Sequence, residues 1–473
     1  MRLVFVHGWS VTSTDTYGAL PQYLKLQSSA RKLDVTVEEV FLGKYVSFED
    51  TVSVDDIARG FDAALRDRPS LSAAFRGRER FACITHSTGG PVVRQWIDRF
   101  YGGKLALCPL SHLIMLAPAN HGSALAQLGK SRLSRIKAFF EGVEPGRRVL
   151  DWLELGSDPS WALNERWLSY DGVPSGLYTF VLQGQSIDRK VYDVLNSYTD
   201  EMGSDGVVRV AAANMNYALA TLREKDGALS FDGIRRARPT ALAILPGLSH
   251  SGTDMGIIRS VALEGAAKHP TTEAVLRCLA VASPTAYAEL STAFAAASDA
   301  TQAAEAGRKF KIGPFHRTFR TDRCSMIVFR LVDDTGLAVT DYDLKFTAGP
   351  AYDENHLPHG FFVDRQRNQL SPGKLTYYLD HDVLTKGLAS QLDHRLGIKL
   401  TARPDEGLAK YGTVGFEGTG GDIVKAIRPN ETLMVEIRLE RKIDRQVFTL
   451  TDNLDKPEKI ERDPSGKLLP PPE

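Results

Sequence analysis

The segment that most constrains this chain is Phe81-Ala82-Cys83-Ile84-Thr85-His86-Ser87-Thr88-Gly89-Gly90-Pro91. A short apolar run leads straight into a serine flanked by small residues, and a helical pattern begins at once. From Pro91 to Phe100 the spacing sets Val92, Val93, Trp96, Ile97 and Phe100 on one face, with the proline in the first turn, where a helix tolerates it. A strand that turns into a helix this abruptly is strained, so the positions two before and two after the serine must be small. The strain exposes the hydroxyl. The next amide, that of Thr88, falls at a helix N-terminus, where it can stabilise an oxyanion. The usual pattern is G-x-S-x-G, and Thr85 stands in place of the first glycine. Ser87 is the candidate nucleophile.

The surrounding sequence repeats this strand–helix rhythm. Leu3–Val6, Phe81–Ile84, Leu113–Ala117, Tyr178–Leu182 and Ala241–Leu245 are short apolar runs, as strands buried on both faces of a parallel sheet require. Helical segments between them predict a doubly wound α/β domain over residues 1–265. Val6-His7-Gly8-Trp9 ends the first run. In this architecture a loop after an early strand, often carrying His-Gly, supplies a second oxyanion amide, here that of Trp9. Past the last run comes Pro246-Gly247-Leu248-Ser249-His250. A histidine there reaches the serine across the strand ends, so His250 is the candidate base.

Together, F-V-H-G-W, T-H-S-T-G-G and L-A-P-A-N-H-G-S resemble bacterial lipases of the α/β-hydrolase superfamily, in the branch that includes GPI inositol-deacylase-like and related phospholipase proteins. The resemblance covers residues 1–265. It implies a serine hydrolase that cleaves lipid esters through an acyl-enzyme, with no metal or organic cofactor. In such lipases an S/N-D-G-x-V segment supplies the acid. Gly203-Ser204-Asp205-Gly206-Val207-Val208 is similar to it and follows the Tyr178–Leu182 run, which makes Asp205 the candidate; Asp188 and Asp200 compete. His121 is a rival base, but it precedes the acid, and the resemblance implies a structural or pocket-lining place for it. His7 and His86 are the other pocket candidates.

Residues 123–176 form an insertion. Leu133, Ile136, Phe139 and Phe140 recur at helical spacing among Lys130, Arg132, Arg135 and Lys137, the composition of a lid on a lipid surface or of a fixed cap. Residues 266–308 read as a helical bridge. Residues 309–452 change to period two, clearest in Leu433, Val435, Ile437 and Leu439, and predict an antiparallel β-sandwich. Residues 453–473 read as a disordered tail. Every candidate site residue precedes the bridge, so the first 308 residues are expected to fold and act alone.

Composition narrows the function. Lysine plus arginine equals aspartate plus glutamate, 58 against 58, which gives no support for a nucleic-acid partner. No apolar run is long enough to span a bilayer, and the first residues lack the form of a signal peptide. Cytoplasmic synthesis is expected, with any export by a non-classical route. The four cysteines have no metal-ligand spacing and read as free buried thiols. His356, His359 and His381, with Asp380 and Asp382, match no strong metal motif. A lipase or phospholipase working at a membrane surface is the leading expectation. The alternatives are an esterase or thioesterase on small soluble esters and a membrane-degrading effector delivered by a specialised secretion system. The sandwich is a candidate contact for membrane or a partner protein.

Overall fold

Two strand patterns give two kinds of sheet in the computed structural model. It describes residues 1–6, 17–30, 36–40, 51–126, 146–187, 203–306, 309–312, 315–318, 323–390, 393–419 and 423–444. The continuous apolar runs form a sheet in the order β2 (Thr36–Val40), β1 (Arg2–Val6), β3 (Phe81–His86), β4 (Leu110–Leu116), β5 (Tyr178–Gln183), β8 (Ala241–Ile244). Every pairing in it is parallel. Alternate residues of β1 serve its two faces: Val4 and Val6 pack with helices Val54–Arg66 and Gly89–Tyr101, while Leu3 and Phe5 pack with helices Leu20–Ala30 and Pro270–Leu279. This double cover is why the strands are apolar throughout.

The stretch expected as a bridge instead closes an edge of this sheet. Helix Pro284–Glu305 runs along β8, where Ala241 N donates to Tyr287 Oη at 3.1 Å and Ile244 N to Ser298 Oγ at 2.8 Å. An edge strand whose amides are taken by side chains cannot pair with another chain.

The period-two segments build a second sheet in the order β13 (Phe362–Arg367), β14 (Lys374–Asp380), β11 (Cys324–Asp333), β18 (Thr432–Leu439), β6 (Tyr217–Lys225), β7 (Ala228–Arg236). Facing it is the antiparallel trio β12 (Tyr342–Ala348), β15 (Leu396–Ala402) and β17 (Thr413–Gly418). Phe329, Leu344, Phe346, Ile398, Phe416 and Val435 fill the space between, so the layers form a sandwich. Unlike the all-antiparallel expectation, β18 pairs in parallel with both β11 and β6. Two small pairs complete the strands among the described residues, β9 (Lys309–Ile312) with β10 (Phe315–Thr318), and β16 (Ala409–Lys410) with β19 (Lys442–Ile443).

The chain crosses the boundary expected at residue 265. Strands β6 and β7 come from within the first 265 residues yet belong to the second sheet. The outer face of that sheet lies on the first domain: Met326, Val328, Tyr378 and Met434 share one core with Val4, Trp96, Ala212 and Met215. Polar contacts pin the same seam. Asn368 Nδ2 donates to Leu155 O at 3.1 Å, Gln369 N donates to Glu154 Oε1 at 2.7 Å, and Lys374 pairs with Asp158. Within the 123–176 insertion, helices Arg147–Leu153 and Asp158–Trp167 bury Trp152, Leu153, Trp161 and Leu163. Leu133, Ile136, Phe139 and Phe140, and the 453–473 tail, lie outside the described residues. Among those described, no helix is long and apolar enough to cross a membrane.

Candidate active site

Strand β3 ends at His86, and the helix starts at Gly89, leaving two residues for the turn. Ser87 takes the strain, with φ at 53° in the left-handed region that non-glycine residues avoid. Its amide donates to Leu116 O at the end of β4, at 3.0 Å, which holds the turn in place. Thr85 replaces the usual glycine without conflict because Gly89 leaves the room: a Cβ on Gly89 would stand 3.3 Å from Thr85 Cβ. Thr88 occupies the helix N-cap and is buried, so its amide lies at the positive end of the helix.

Three side chains from three loops meet here. His250 Nε2 lies 3.1 Å from Ser87 Oγ, and His250 Nδ1 lies 2.9 Å from Asp205 Oδ2. The carboxylate accepts from Nδ1, so Nε2 is the nitrogen left to accept the serine proton. Asp205 and His250 are 0% and 2% exposed, so water does not compete for these bonds. The acid is held from several directions. Its Oδ1 accepts from Val207 N at 3.0 Å and Val208 N at 2.8 Å, and its Oδ2 accepts from Gln183 Nε2 at 2.8 Å. Gly203 and Gly206, at φ 67° and 99°, make the tight turn that presents it. His250 N also donates to Asp205 O at 2.9 Å, joining the two loops through backbone.

The remaining sequence candidates divide. His86 is beside His250, with ring centroids 4.7 Å apart and His86 Nε2 3.1 Å from His250 O, so Nε2 carries a proton and donates. His121 packs edge-on against Tyr217, and its Nε2 makes no hydrogen bond. Burial, reinforced by the nearby Arg94 guanidinium, pushes its pKa down to about 3, so it stays neutral. His7, Trp9, Asp188 and Asp200 lie outside the described residues. Sequence reasoning passed over Gln183, although its place at the C-terminal end of a parallel strand was a usable signal. The four cysteines are free and buried. Among the described residues no group of three or more His, Cys, Asp and Glu side chains could hold a metal ion.

Comparison with solved structures places this chain in a family. Phospholipase PlaB from Legionella pneumophila, in complex with thio-NAD, is 52% identical with a TM-score of 0.90, over 99% of this chain and 100% of its own. The chain belongs to the PlaB family. A second structure of PlaB agrees, at 53% identity and a TM-score of 0.91 over the same shares. PlaB matches the sandwich as well as the α/β-hydrolase sheet, whereas the lipase resemblance in the sequence stopped near residue 265. The GPI inositol-deacylase-like branch of that resemblance receives no support from the match. No protein-family model matches the chain, and no curated protein does.

Proposed function

We propose that this protein is a phospholipase, a serine hydrolase that cleaves carboxylic esters of lipids. The observation that carries the reading is the buried relay from Ser87 through His250 to Asp205, with links of 3.1 and 2.9 Å, in a chain 52% identical to a phospholipase. In this mechanism His250 Nε2 takes the proton as Ser87 Oγ attacks the ester carbonyl. Asp205 holds the imidazole and stabilises its cation. The Thr88 amide, and that of Trp9, receive the oxyanion. The tetrahedral intermediate collapses as His250 returns its proton to the departing alcohol. Water, activated by the same histidine, then frees the fatty acid and restores Ser87.

The test measures fatty acid released from phosphatidylglycerol and phosphatidylethanolamine vesicles, and rate against concentration for a short-chain ester across its micelle threshold. Release from vesicles and a rise above the threshold are expected, both lost in Ser87→Ala along with labelling by a fluorophosphonate. Intact vesicles and no rise would leave an esterase of small soluble esters. Labelling that survives Ser87→Ala would overturn the nucleophile.

The thio-NAD bound to the relative supports a second reading, that this chain also binds a nicotinamide dinucleotide. A thermal midpoint that climbs with added thio-NAD is expected; an unchanged midpoint at millimolar ligand would refute it.

A further inference from the structure

The loop that presents Asp205 is closed at its base by a bridge between Ser204 and Arg209. Val210 N donates to Gly203 O at 3.0 Å across the same base. With glycines at φ 67° and 99° on either side of the acid, the loop backbone has little preference of its own. Ser123 Oγ, donating to Val207 O at 2.6 Å, and Gln183 Nε2, donating to Val208 O at 3.1 Å, tie the loop's far side to the first domain, and its base is tied to the second sheet. The Arg209 side chain is 4% exposed, lies 4.0 Å over the ring of Tyr378 in β14, and pairs with Asp364 in β13 at 3.2 Å. A planar guanidinium stacked on a ring and bound to a carboxylate has one orientation available, which a flexible cation would not. The residues just beyond are tied to the same sheet. Thr432 Oγ1 donates to Ala211 O at 2.8 Å, and Asn214 Nδ2 donates to Asn430 O at 2.7 Å.

We infer that Arg209 is a positioning residue for the acid, and that the sandwich sets the place of Asp205 through Asp364 and Tyr378. The inference rests on the triad reading above. Arg209 reaches no reacting atom: it acts by fixing the loop that carries the acid. A loop released by even an ångström weakens the bond from Asp205 to His250. The imidazolium that forms in the transition state then loses part of its carboxylate support, so kcat falls with little change in KM.

The experiment uses the full chain and a soluble short-chain ester, with Asp364→Asn, Arg209→Met, Arg209→Lys, the double variant Arg209→Met/Asp364→Asn, and Asp205→Asn as the reference for a lost acid. Asp364→Asn and Arg209→Met should each lower kcat about tenfold with KM within about twofold. The double variant should be no worse than Arg209→Met, because both changes break one contact. Arg209→Lys, which keeps the charge without the planar stack, should fall between wild type and Arg209→Met. Wild-type kcat in Asp364→Asn would overturn the inference, as would losses that merely track melting temperature with KM rising as kcat falls. If Asp205→Asn turns over like wild type, the triad reading itself fails; if only Asp205→Asn is inactive and Asp364→Asn is silent, the inference alone fails.

Discussion

At the scale of single residues, Asp205 and His121 show how surroundings assign a role. Asp205 is fully buried, yet four hydrogen bonds satisfy its oxygens. Asp205→Asn keeps the shape but puts a donor where an acceptor is needed against His250 Nδ1. Turnover of a soluble ester should fall on the order of 10⁴-fold while the melting temperature moves little; activity near wild type would remove Asp205 from the mechanism. His121 is buried too, but without a bond at Nε2. The unfolded chain takes up a proton at this position below its ordinary value of 6.5, and the folded chain only near 3. Between those values protonation favours unfolding, so stability is lost as pH falls from 6.5 toward 3, by about 1 kcal/mol per pH unit from this group. His121→Phe should flatten the slope in urea unfolding between pH 6.5 and 5, and an unchanged slope would mean that His121 is charged in the folded chain. Ser87 and His250 were legible in the sequence because a nucleophile turn and a histidine past the last strand are local patterns. Arg209 was not, because it acts through partners that folding alone brings near.

At the scale of elements, two glycines hold their places for different reasons. Gly90 sits in the first turn of the helix after Ser87, where an added Cβ would lie 2.8 Å from Pro118 Cβ and 3.2 Å from Met115 Sδ. Gly90→Ala must push the helix off β4 and should destabilise by about 1–3 kcal/mol. Since Thr88 begins that helix, turnover should fall as well. Gly227 has open space around it but a φ of 82°. Gly227→Ala should therefore destabilise by only about 1 kcal/mol, from backbone strain alone, and leave turnover unchanged. Urea unfolding and initial rates on both variants check the contrast; equal activity losses would contradict it. Gly227 also marks where the sequence said more than was read from it. Asp226-Gly227, both at positive φ, is the two-residue turn joining β6 to β7, and such a pair between strand-like segments is a strong hairpin signal. What no local pattern could give is that β6 pairs with β18, since periodicity sets which face of a strand is buried but not its partner.

At the scale of the whole molecule, the expectation that residues 1–308 stand alone meets the core drawn in the structure. A chain ending at 308 keeps Ser87, Asp205 and His250 but loses β18, whose pairing with β6 runs from Thr432 opposite Tyr217 to Arg438 opposite Arg223. The β6–β7 hairpin is left alone with Ala218, Ala220 and Leu222 facing water, and an isolated hairpin is marginal at best. The first domain also loses Met326, Val328, Tyr378 and Met434 from its own core. At about 1.5–3 kcal/mol for each buried side chain, these four account for roughly 6–12 kcal/mol. That is comparable with the whole stability of an ordinary domain, about 5–15 kcal/mol. The acid loop would lose Asp364, Tyr378 and Thr432 at the same stroke. The truncated chain should therefore fail to give a cooperative thermal transition, expose apolar surface to a hydrophobic dye, and leave short-chain esters uncleaved. A sharp melt in circular dichroism together with wild-type ester turnover would show that the seam joins two independent bodies. The α/β sheet would then suffice to hold its own acid.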